Sequence, residues 1–268
     1  MDAGMNGVSN PMLVCAATRD ELACFGLDGA REIEPGRLWK SPETTFAVTG
    51  VGIPHTLMYL SSLLETVRPA CVLNIGIAGA YPSTPATPGS PATPAAPSPS
   101  LNFLSRSEEL AIGDVVIGIS EVFADLGMEI PDAERFRPLA AFLFSDVSLR
   151  APLKLLVPAW AGSAAELKQG RGATVNTCTG TLETGALRRR LFDADFETME
   201  GAAVALLCGA REIPVIEVRS ISNRAARRDL RPENIRCAFE SLSKFWAENR
   251  HRIGDGIGDG IRDGIGTP

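Results

Sequence analysis

Histidine is scarce in this chain, with only His55 and His251 among 268 residues. Two histidines cannot supply a multi-histidine metal site, so that class of metalloprotein is excluded. The six cysteines form no C-x-x-C pair, and several lie inside apolar runs. This usage is typical of small buried hydrophobic residues in a reducing compartment rather than of a disulfide framework or a zinc site. We therefore expect neither a metal nor a cofactor.

The chain also lacks an excess of positive charge and any long apolar run. Its formal net charge is −6, which argues against nucleic acid as a partner, because no positive field neutralises phosphates. No apolar stretch is long enough to cross a bilayer, and the opening residues, MDAGMNGVSN, carry no basic n-region of a signal peptide. With 45% apolar and 22% charged residues, the composition is that of a globular protein. We expect a cytoplasmic location and no membrane partner.

Short apolar runs alternate with helical patterns along most of the chain. Alternation of this kind predicts a single α/β domain over residues 12–250 with a largely central sheet. The predicted strands cover residues 12–17, 45–49, 71–77, 115–120, 174–181 and 214–218. Helices are predicted from residue 21, after Pro54, and at 136–144, 164–168, 183–192, 201–210 and 232–250.

Two segments of low complexity interrupt this pattern. Residues from about 81 to 107 are rich in Pro, Ala, Ser and Thr, a composition that predicts an exposed or disordered insertion. The Gly/Asp-rich stretch 251–268 is expected to be a flexible tail. Its Asp/Gly repeats lack the spacing and the closing Glu of an EF-hand calcium loop.

The segments TMEGAA at 198–203 and RSISN at 219–223 form a recognisable pattern. They closely resemble the V-E-M-E-G-A-A helix and the R-x-I-S-D loop of the nucleoside phosphorylase and nucleosidase superfamily. The resemblance continues at 17–21, 50–52, 74–79 and 113–114, and covers nearly all of residues 12–250 apart from the insertion. It implies a three-layer α/β/α sandwich with a central mixed sheet, a small nucleoside as substrate, and a homo-oligomer.

Three further segments, EVFADLG at 121–127, VNTCTGT at 175–181 and SNRAARRD at 222–229, resemble the futalosine hydrolase family of that superfamily. The resemblance implies cleavage of futalosine by water to hypoxanthine and dehypoxanthine futalosine, in menaquinone biosynthesis. Asn223 stands where adenosine-type nucleosidases carry Asp. An amide NH₂ can donate to both N7 and O6 of a 6-oxopurine, although an amide also serves adenine.

The resemblance implies catalytic roles for Glu21, Glu200 and Asn223. Glu21 corresponds to the water-activating glutamate, Glu200 suits the ribose hydroxyls because a carboxylate accepts hydrogen bonds, and Asn223 holds the base. Without the resemblance, Glu21 is interpreted as a solvated glutamate of a first helical turn. The group that protonates the leaving base stays unassigned. The expected substrate-binding residues are Gly52, Ala78, Gly79, Phe123, Thr177, Met199 and Asp229.

Asn74 bears on the choice between a hydrolase and a phosphorylase. It stands where phosphorylases of the superfamily place an Arg that grips phosphate, and an amide carries no charge. We therefore expect water to be the nucleophile. Three alternatives stay open: a nucleosidase for methylthioadenosine or adenosylhomocysteine, a purine nucleoside phosphorylase, and a non-catalytic nucleoside-binding protein.

Overall fold

The fold is organised around long strands that end at one edge of a sheet. The computed structural model describes residues 12–27, 29–82, 109–131, 136–138, 152–162, 167–227 and 231–264, with side chains up to Ile253. The strands are β1 (Met12–Ala16), β2 (Arg31–Glu34), β3 (Leu38–Lys40), β4 (Thr44–Val48), β5 (Cys71–Ala80), β6 (Val115–Phe123), β7 (Gly127–Glu129), β8 (Phe136–Pro138), β9 (Leu153–Lys154), β10 (Lys168–Thr174), β11 (Phe196–Thr198) and β12 (Val215–Arg224). The helices are α1 (Arg19–Ala23), α2 (Ile53–Val67), α3 (Leu182–Phe192), α4 (Gly201–Gly209) and α5 (Pro232–Gly264), with a 3₁₀ turn at Ala159–Gly162.

The main sheet is mixed and closes on itself at one end. Its strand order is β11-β10-β6-β12-β5-β1-β4-β3-β2, and β11 also pairs with β5. Strands β1, β4, β5 and β12 run parallel to one another, whereas β6 pairs antiparallel with β12. Because parallel strands end at the same edge, the carboxyl ends of these four meet on one side of the sheet.

Helices cover both faces of this sheet, so the predicted three-layer α/β/α architecture is confirmed. Strand β1 is buried on both faces. Its Val14 packs in a cluster with Leu242 and Phe245 of α5. Its Leu13 packs in a second cluster with Leu60 of α2. Alternate residues of a strand point to opposite faces, which is why consecutive residues of β1 join different clusters.

The prediction for the middle of the chain was partly wrong. A strand was predicted at 174–181, but β10 is Lys168–Thr174 and ends where the predicted strand begins. Phe136–Pro138 and Lys168 lie in strands, although helices were predicted there. Of the remaining residues of those two predicted helices, Leu167 lies in neither a helix nor a strand, and 139–144 and 164–166 lie outside the described residues. The sequence pattern did not predict strand β10, because its glycines provide no apolar side chains. The apolar packing at Gly170 comes from its neighbours Val116 and Phe196.

Two predicted ends also differ from the structure. Strand β12 continues to Arg224, so that Asn223 lies within the strand rather than in a loop after it. Helix α5 continues past the predicted end at residue 250 to Gly264, because Ile253 extends the apolar stripe by another turn and is buried in the core. Residues 83–108 lie outside the described residues, so their exposure stays a prediction, as does the flexibility of 251–268. Within the described residues, no helix is both long and apolar enough to span a membrane.

Candidate active site

A cavity of about 230 Å³ opens at the carboxyl edge of the parallel strands. Six of the residues predicted for the site line it together: Glu21, Ala78, Gly79, Met199, Glu200 and Asn223. The rest of its lining is formed by Ala17, Thr18, Val51, Ile77, Cys178, Glu197, Thr198 and Ser222. Segments far apart in the sequence thus converge because their strands end at one edge.

Glu200 lies at the N-cap of α4, where the helix dipole favours an anion. The backbone N–H of Gly52 donates to its Oε1 at 2.7 Å. Gly52 has a φ of 86°, which favours glycine, and so the turn after β4 can present this N–H to the carboxyl. Burial raises the pKa of Glu200 to about 7, against the opposing effect of Arg219. The Glu200 carboxyl therefore titrates in the neutral range.

Glu21 is held at both of its carboxyl oxygens. As the third residue of α1 it forms a capping box, in which Oε2 accepts from Thr18 N at 3.0 Å and from Thr18 Oγ1 at 2.8 Å. Its Oε1 accepts from the N–H of Ile77 at 3.0 Å. The side chain is buried at 6% exposure, so it is not the solvated first-turn glutamate of the alternative interpretation. These bonds fix a carboxylate at the cavity wall.

Arg219 of β12 was not predicted as a residue of the site. It is 1% exposed, and its Nε and Nη2 donate to Glu217 Oε1 at 3.0 and 2.9 Å. Its Nη1 lies with Glu21 Oε1 over Gly76, where an added methyl group would overlap both atoms. Burial alone would lower the pKa of Arg219, but Glu217, Glu200 and Glu21 raise it above its usual value. An arginine that directly follows the apolar run of a buried strand was the available sequence signal.

Asn223 reaches the cavity because β12 carries a bulge. Between Ile221 and Asn223 the register with β5 shifts by one residue, so that Ser222 and Asn223 both line the cavity. Ser222 Oγ donates to Asn223 Oδ1 at 3.0 Å, and Asn223 Nδ2 donates to Arg224 O at 3.0 Å. The Nδ2 group lies beside Gly79, which lacks a side chain to cover it. The bond to Arg224 uses one of the two N–H groups of Nδ2 and leaves the other as a donor beside Gly79.

Three predicted binding residues do not line the cavity. Phe123 ends β6 and does not line the cavity, and Thr177 N instead donates to Asp125 Oδ2 at 3.3 Å. Gly52 contacts Glu200 rather than the cavity itself. Asp229 lies outside the described residues.

The wall near Thr177 is formed by Cys178, which was not predicted. Cys178 Sγ lies 3.4 Å from Met199 Sδ. Its loop is fastened by Glu197, whose Oε1 accepts from Thr179 N at 2.8 Å and whose Oε2 accepts from Tyr81 Oη and Arg188 Nη1, each at 3.1 Å. Tyr81 is fully buried, which places the start of the predicted insertion after it.

A closed mixed sheet between helical layers thus carries acidic side chains and an amide at its carboxyl edge. The family model described as phosphorylase superfamily matches residues 104–255. Among solved structures, a futalosine hydrolase mutant of Helicobacter pylori matches with a TM-score of 0.66 at 20% identity, covering 91% of this chain and 99% of that one. At that identity the structural match establishes the fold.

Curated relatives give a finer placement. A futalosine hydrolase of Acidothermus cellulolyticus is 35% identical over 253 residues, which is 90% of this chain and 89% of that protein. The match to the futalosine hydrolase of Streptomyces coelicolor has the same 35% identity but spans 45% of this chain and half of that protein. The chain therefore belongs to the phosphorylase superfamily and, within it, to the futalosine hydrolase family.

Proposed function

We propose that the protein hydrolyses the N-ribosyl bond of futalosine, giving hypoxanthine and dehypoxanthine futalosine. The observation that carries this proposal is the single cavity that joins Glu21, Glu200 and Asn223. Two carboxylates suit a sugar that develops positive charge, and an amide suits an uncharged purine. The placement in the futalosine hydrolase family supports the choice of substrate.

Glu200 and Met199 suit the ribose. A buried carboxylate accepts hydrogen bonds from two vicinal hydroxyls and places negative charge beside the developing oxocarbenium ion. Its bond from Gly52 N occupies Oε1 and leaves acceptor capacity on Oε2. Met199 lines the same cavity and supplies an apolar surface for the sugar.

Glu21 suits the role of general base. It takes a proton from a water molecule, whose oxygen then bonds to the anomeric carbon while the bond from that carbon to the purine nitrogen breaks. The electrons of the broken bond go to the purine, which leaves after gaining a proton. Because hydrogen bonds hold both oxygens of Glu21, its carboxyl group is already oriented before the water binds.

The charge of the cavity favours water over phosphate. Its ionisable lining residues include Glu21, Glu197 and Glu200, and none of the described lining residues is Lys or Arg. Arg219 lies behind them and is bound to Glu217. Asn74, at the position of the phosphate-gripping Arg, is buried and donates to Glu217 Oε1 at 3.2 Å. Among the lining residues that the structure describes, a phosphate dianion would meet carboxylates and neither a Lys nor an Arg.

The remaining parts of the proposal rest on the family placement. We infer a role in menaquinone biosynthesis, a cytoplasmic location and a homo-oligomer. Asn223 supports hypoxanthine as the leaving base, since its Nδ2 faces the part of the cavity beside Gly79. No cofactor enters the reaction as proposed.

The test is a panel of nucleosides assayed for base release by the purified protein. Futalosine, aminodeoxyfutalosine, methylthioadenosine and inosine are incubated in phosphate-free buffer, and the released base is separated and quantified. We expect hypoxanthine from futalosine at the highest kcat/KM. Faster release of adenine from methylthioadenosine would refute the substrate. Binding of hypoxanthine with no turnover of any nucleoside would identify a non-catalytic binding protein.

A further inference from the structure

Two buried carboxyl groups lie behind the cavity and play no part in the steps above. Glu121 of β6 and Glu217 of β12 are both 0% exposed, and neither lines the cavity. Glycines make the room for them: an added methyl group at Gly172 would overlap Glu121, one at Gly118 would overlap Glu217, and one at Gly201 would overlap both. The fold therefore brings the two carboxyls to one point.

The hydrogen bonds around this pair leave one acceptor without a donor. Glu217 Oε1 accepts from Asn74 and Arg219, but Glu217 Oε2 is buried and has no partner among the donors of the described residues. The carboxyl of Glu121 lies beside that of Glu217, since an added methyl group at Gly201 would overlap Glu121 Oε1 and Glu217 Oε1. Two ionised carboxylates cannot hydrogen-bond to each other, because neither carries a hydrogen, whereas one proton between them supplies the donor that Glu217 Oε2 lacks.

Glu121 is also tied to the cavity wall. Its Oε1 accepts from Thr198 Oγ1 at 3.2 Å, and Thr198 lines the cavity. Its Oε2 accepts from Thr174 Oγ1 at 2.8 Å. Thr174 Oγ1 in turn accepts from the N–H of Ala202, in the first turn of α4, at 2.7 Å. The pair thus touches both the strand that carries Arg219 and the helix that begins after Glu200.

The charges in this region do not balance when every acid is ionised. Glu21, Glu200 and Glu217 act on the guanidinium of Arg219, Glu121 lies beside Glu217, and all five side chains are buried. Burial raises the pKa of Glu121 well above its usual value, and the neighbouring Glu217 raises it further. A buried charge without a partner is strongly unfavourable, so the region favours uptake of a proton.

We propose that Glu121 and Glu217 share one proton and that this acid pair positions Arg219 beside the cavity carboxyls Glu21 and Glu200. The pair carries one negative charge, which matches the one positive charge of Arg219. Glu217 thereby holds the guanidinium of Arg219 in place and prevents it from forming a tight ion pair with Glu200 or Glu21. Glu121 and Glu217 are positioning residues, and their effect on turnover rests on the proposed function.

An infrared measurement tests the shared proton without any substrate. A protonated carboxyl has a C=O stretching band separate from that of a carboxylate, and at about pH 9 an ordinary Glu is fully ionised. We expect the band to persist in the wild-type protein at that pH and to disappear in Glu121→Gln. The exposed Glu240 provides a matched control, Glu240→Gln, which should keep the band. A wild-type spectrum identical to that of Glu121→Gln would overturn the proposal.

Kinetics on futalosine test the positioning role. Gln imitates a protonated Glu, so Glu121→Gln should retain at least about tenfold more kcat/KM than Glu121→Ala. Equal activities of these two variants would refute positioning by Glu121. Should Glu121→Ala fail to fold, Glu217→Gln takes its place. If the protein does not cleave futalosine at all, the proposed function fails while the infrared result still decides the shared proton.

The Glu217→Gln variant adds a pH profile to this test. Three charged or titratable groups face Glu200: Arg219 of β12, Glu21 of α1 and Cys15 of β1. Glu197 of β11 lines the same cavity, and the exposed His55 lies in the first turn of α2. Removing the charge of Glu217 frees Arg219 to act on Glu200, so the acid limb of kcat/KM should move to lower pH, with kcat reduced about tenfold or more. An unmoved limb with unchanged kcat would contradict the positioning role.

Discussion

The two ends of the cavity are built in opposite ways. At one end, the carboxyl groups of Glu21 and Glu200 are buried and are fixed by the backbone N–H groups of Ile77 and Gly52. At the other end, Gly79 and Asn223 offer a small uncharged surface with one amide. The difference matches the two halves of a nucleoside: the acidic end suits a sugar that becomes cationic, and the neutral end suits a purine that leaves.

The acidic end should be the more sensitive to mutation. Glu21→Gln keeps the size of the side chain but removes the base, so kcat should fall by roughly 10²–10⁴-fold with substrate binding retained. Stopped assays of hypoxanthine release and a separate binding titration would measure both quantities. The exposed Glu43 supplies the matched control, Glu43→Gln, which should leave kcat unchanged. A Glu21→Gln variant with the kcat of the wild type would remove Glu21 from the mechanism.

Glu200→Gln should cost less than the loss of the base. The amide still accepts one hydrogen bond from a ribose hydroxyl, but the charge beside the developing cation is gone, so kcat/KM should fall about 10²-fold. Steady-state kinetics on futalosine would measure the decrease. If the free hypoxanthine base bound equally well to wild type and variant, the loss would be confined to the sugar end, as the comparison of the two ends requires.

The pH profile of the wild-type protein should report the titration of Glu200. Burial raises the pKa of Glu200 to about 7, and the ionised form is the one that serves the sugar. Activity should therefore fall about tenfold per pH unit below that value. Measurement of kcat/KM from acidic to alkaline pH would reveal the limb. A profile that stays flat through neutral pH would show that the Glu200 charge is not required.

Asn223→Asp probes the neutral end. A carboxylate would repel N7 and O6 of hypoxanthine but can accept a proton and then donate to adenine, so the ratio of kcat/KM for hypoxanthine over adenine nucleosides should fall about tenfold. Competition between futalosine and aminodeoxyfutalosine, with both bases quantified, would measure the ratio. A loss that is equal for both nucleosides would assign Asn223 to general binding instead of base selection.

The smallest predicted effect concerns stability. Because the pKa of Glu200 rises from 4.5 to about 7 on folding, the folded protein binds more protons than the unfolded chain between these values. The resulting stability is complete below the lower value and is lost as pH rises through the upper one. Glu200→Gln should thus raise the free energy of unfolding at about pH 8 by roughly 1–3 kcal/mol. Urea titrations at acidic and alkaline pH would reveal a difference that disappears in acid.

Much of the fold followed from the sequence because its buried parallel strands are continuous apolar runs. Strands β1, β4 and β5 and helices α3 and α4 were predicted to within a few residues. Strand β10 was misplaced because KQGRGAT has no apolar alternation; its residues fit the sheet through the space that Gly170 and Gly172 leave. When neighbouring residues pack against the backbone of a strand, the sequence of that strand need not show an apolar pattern.

The residues of the candidate site that were predicted are those that a sequence motif identifies individually. Glu21, Glu200 and Asn223 meet in the cavity as the motifs implied. Arg219 and Glu217 were missed as members of the site, since their roles depend on which strands pair and on glycines contributed by other strands. Cys178 lines the cavity where Thr177 was predicted. Which of two adjacent loop residues faces the cavity depends on how Glu197 binds the loop, and the sequence does not show that contact.

The central claim, hydrolysis by water, is tested most directly by the dependence of turnover on phosphate. Initial rates of hypoxanthine release from futalosine are measured as phosphate is added to phosphate-free protein. Because the described lining residues of the acidic cavity include neither Lys nor Arg, and Arg219 is bound to Glu217, we predict full activity in the absence of phosphate and no rise upon its addition. A rate that is zero without phosphate and increases with its concentration, accompanied by a phosphorylated sugar, would contradict the account.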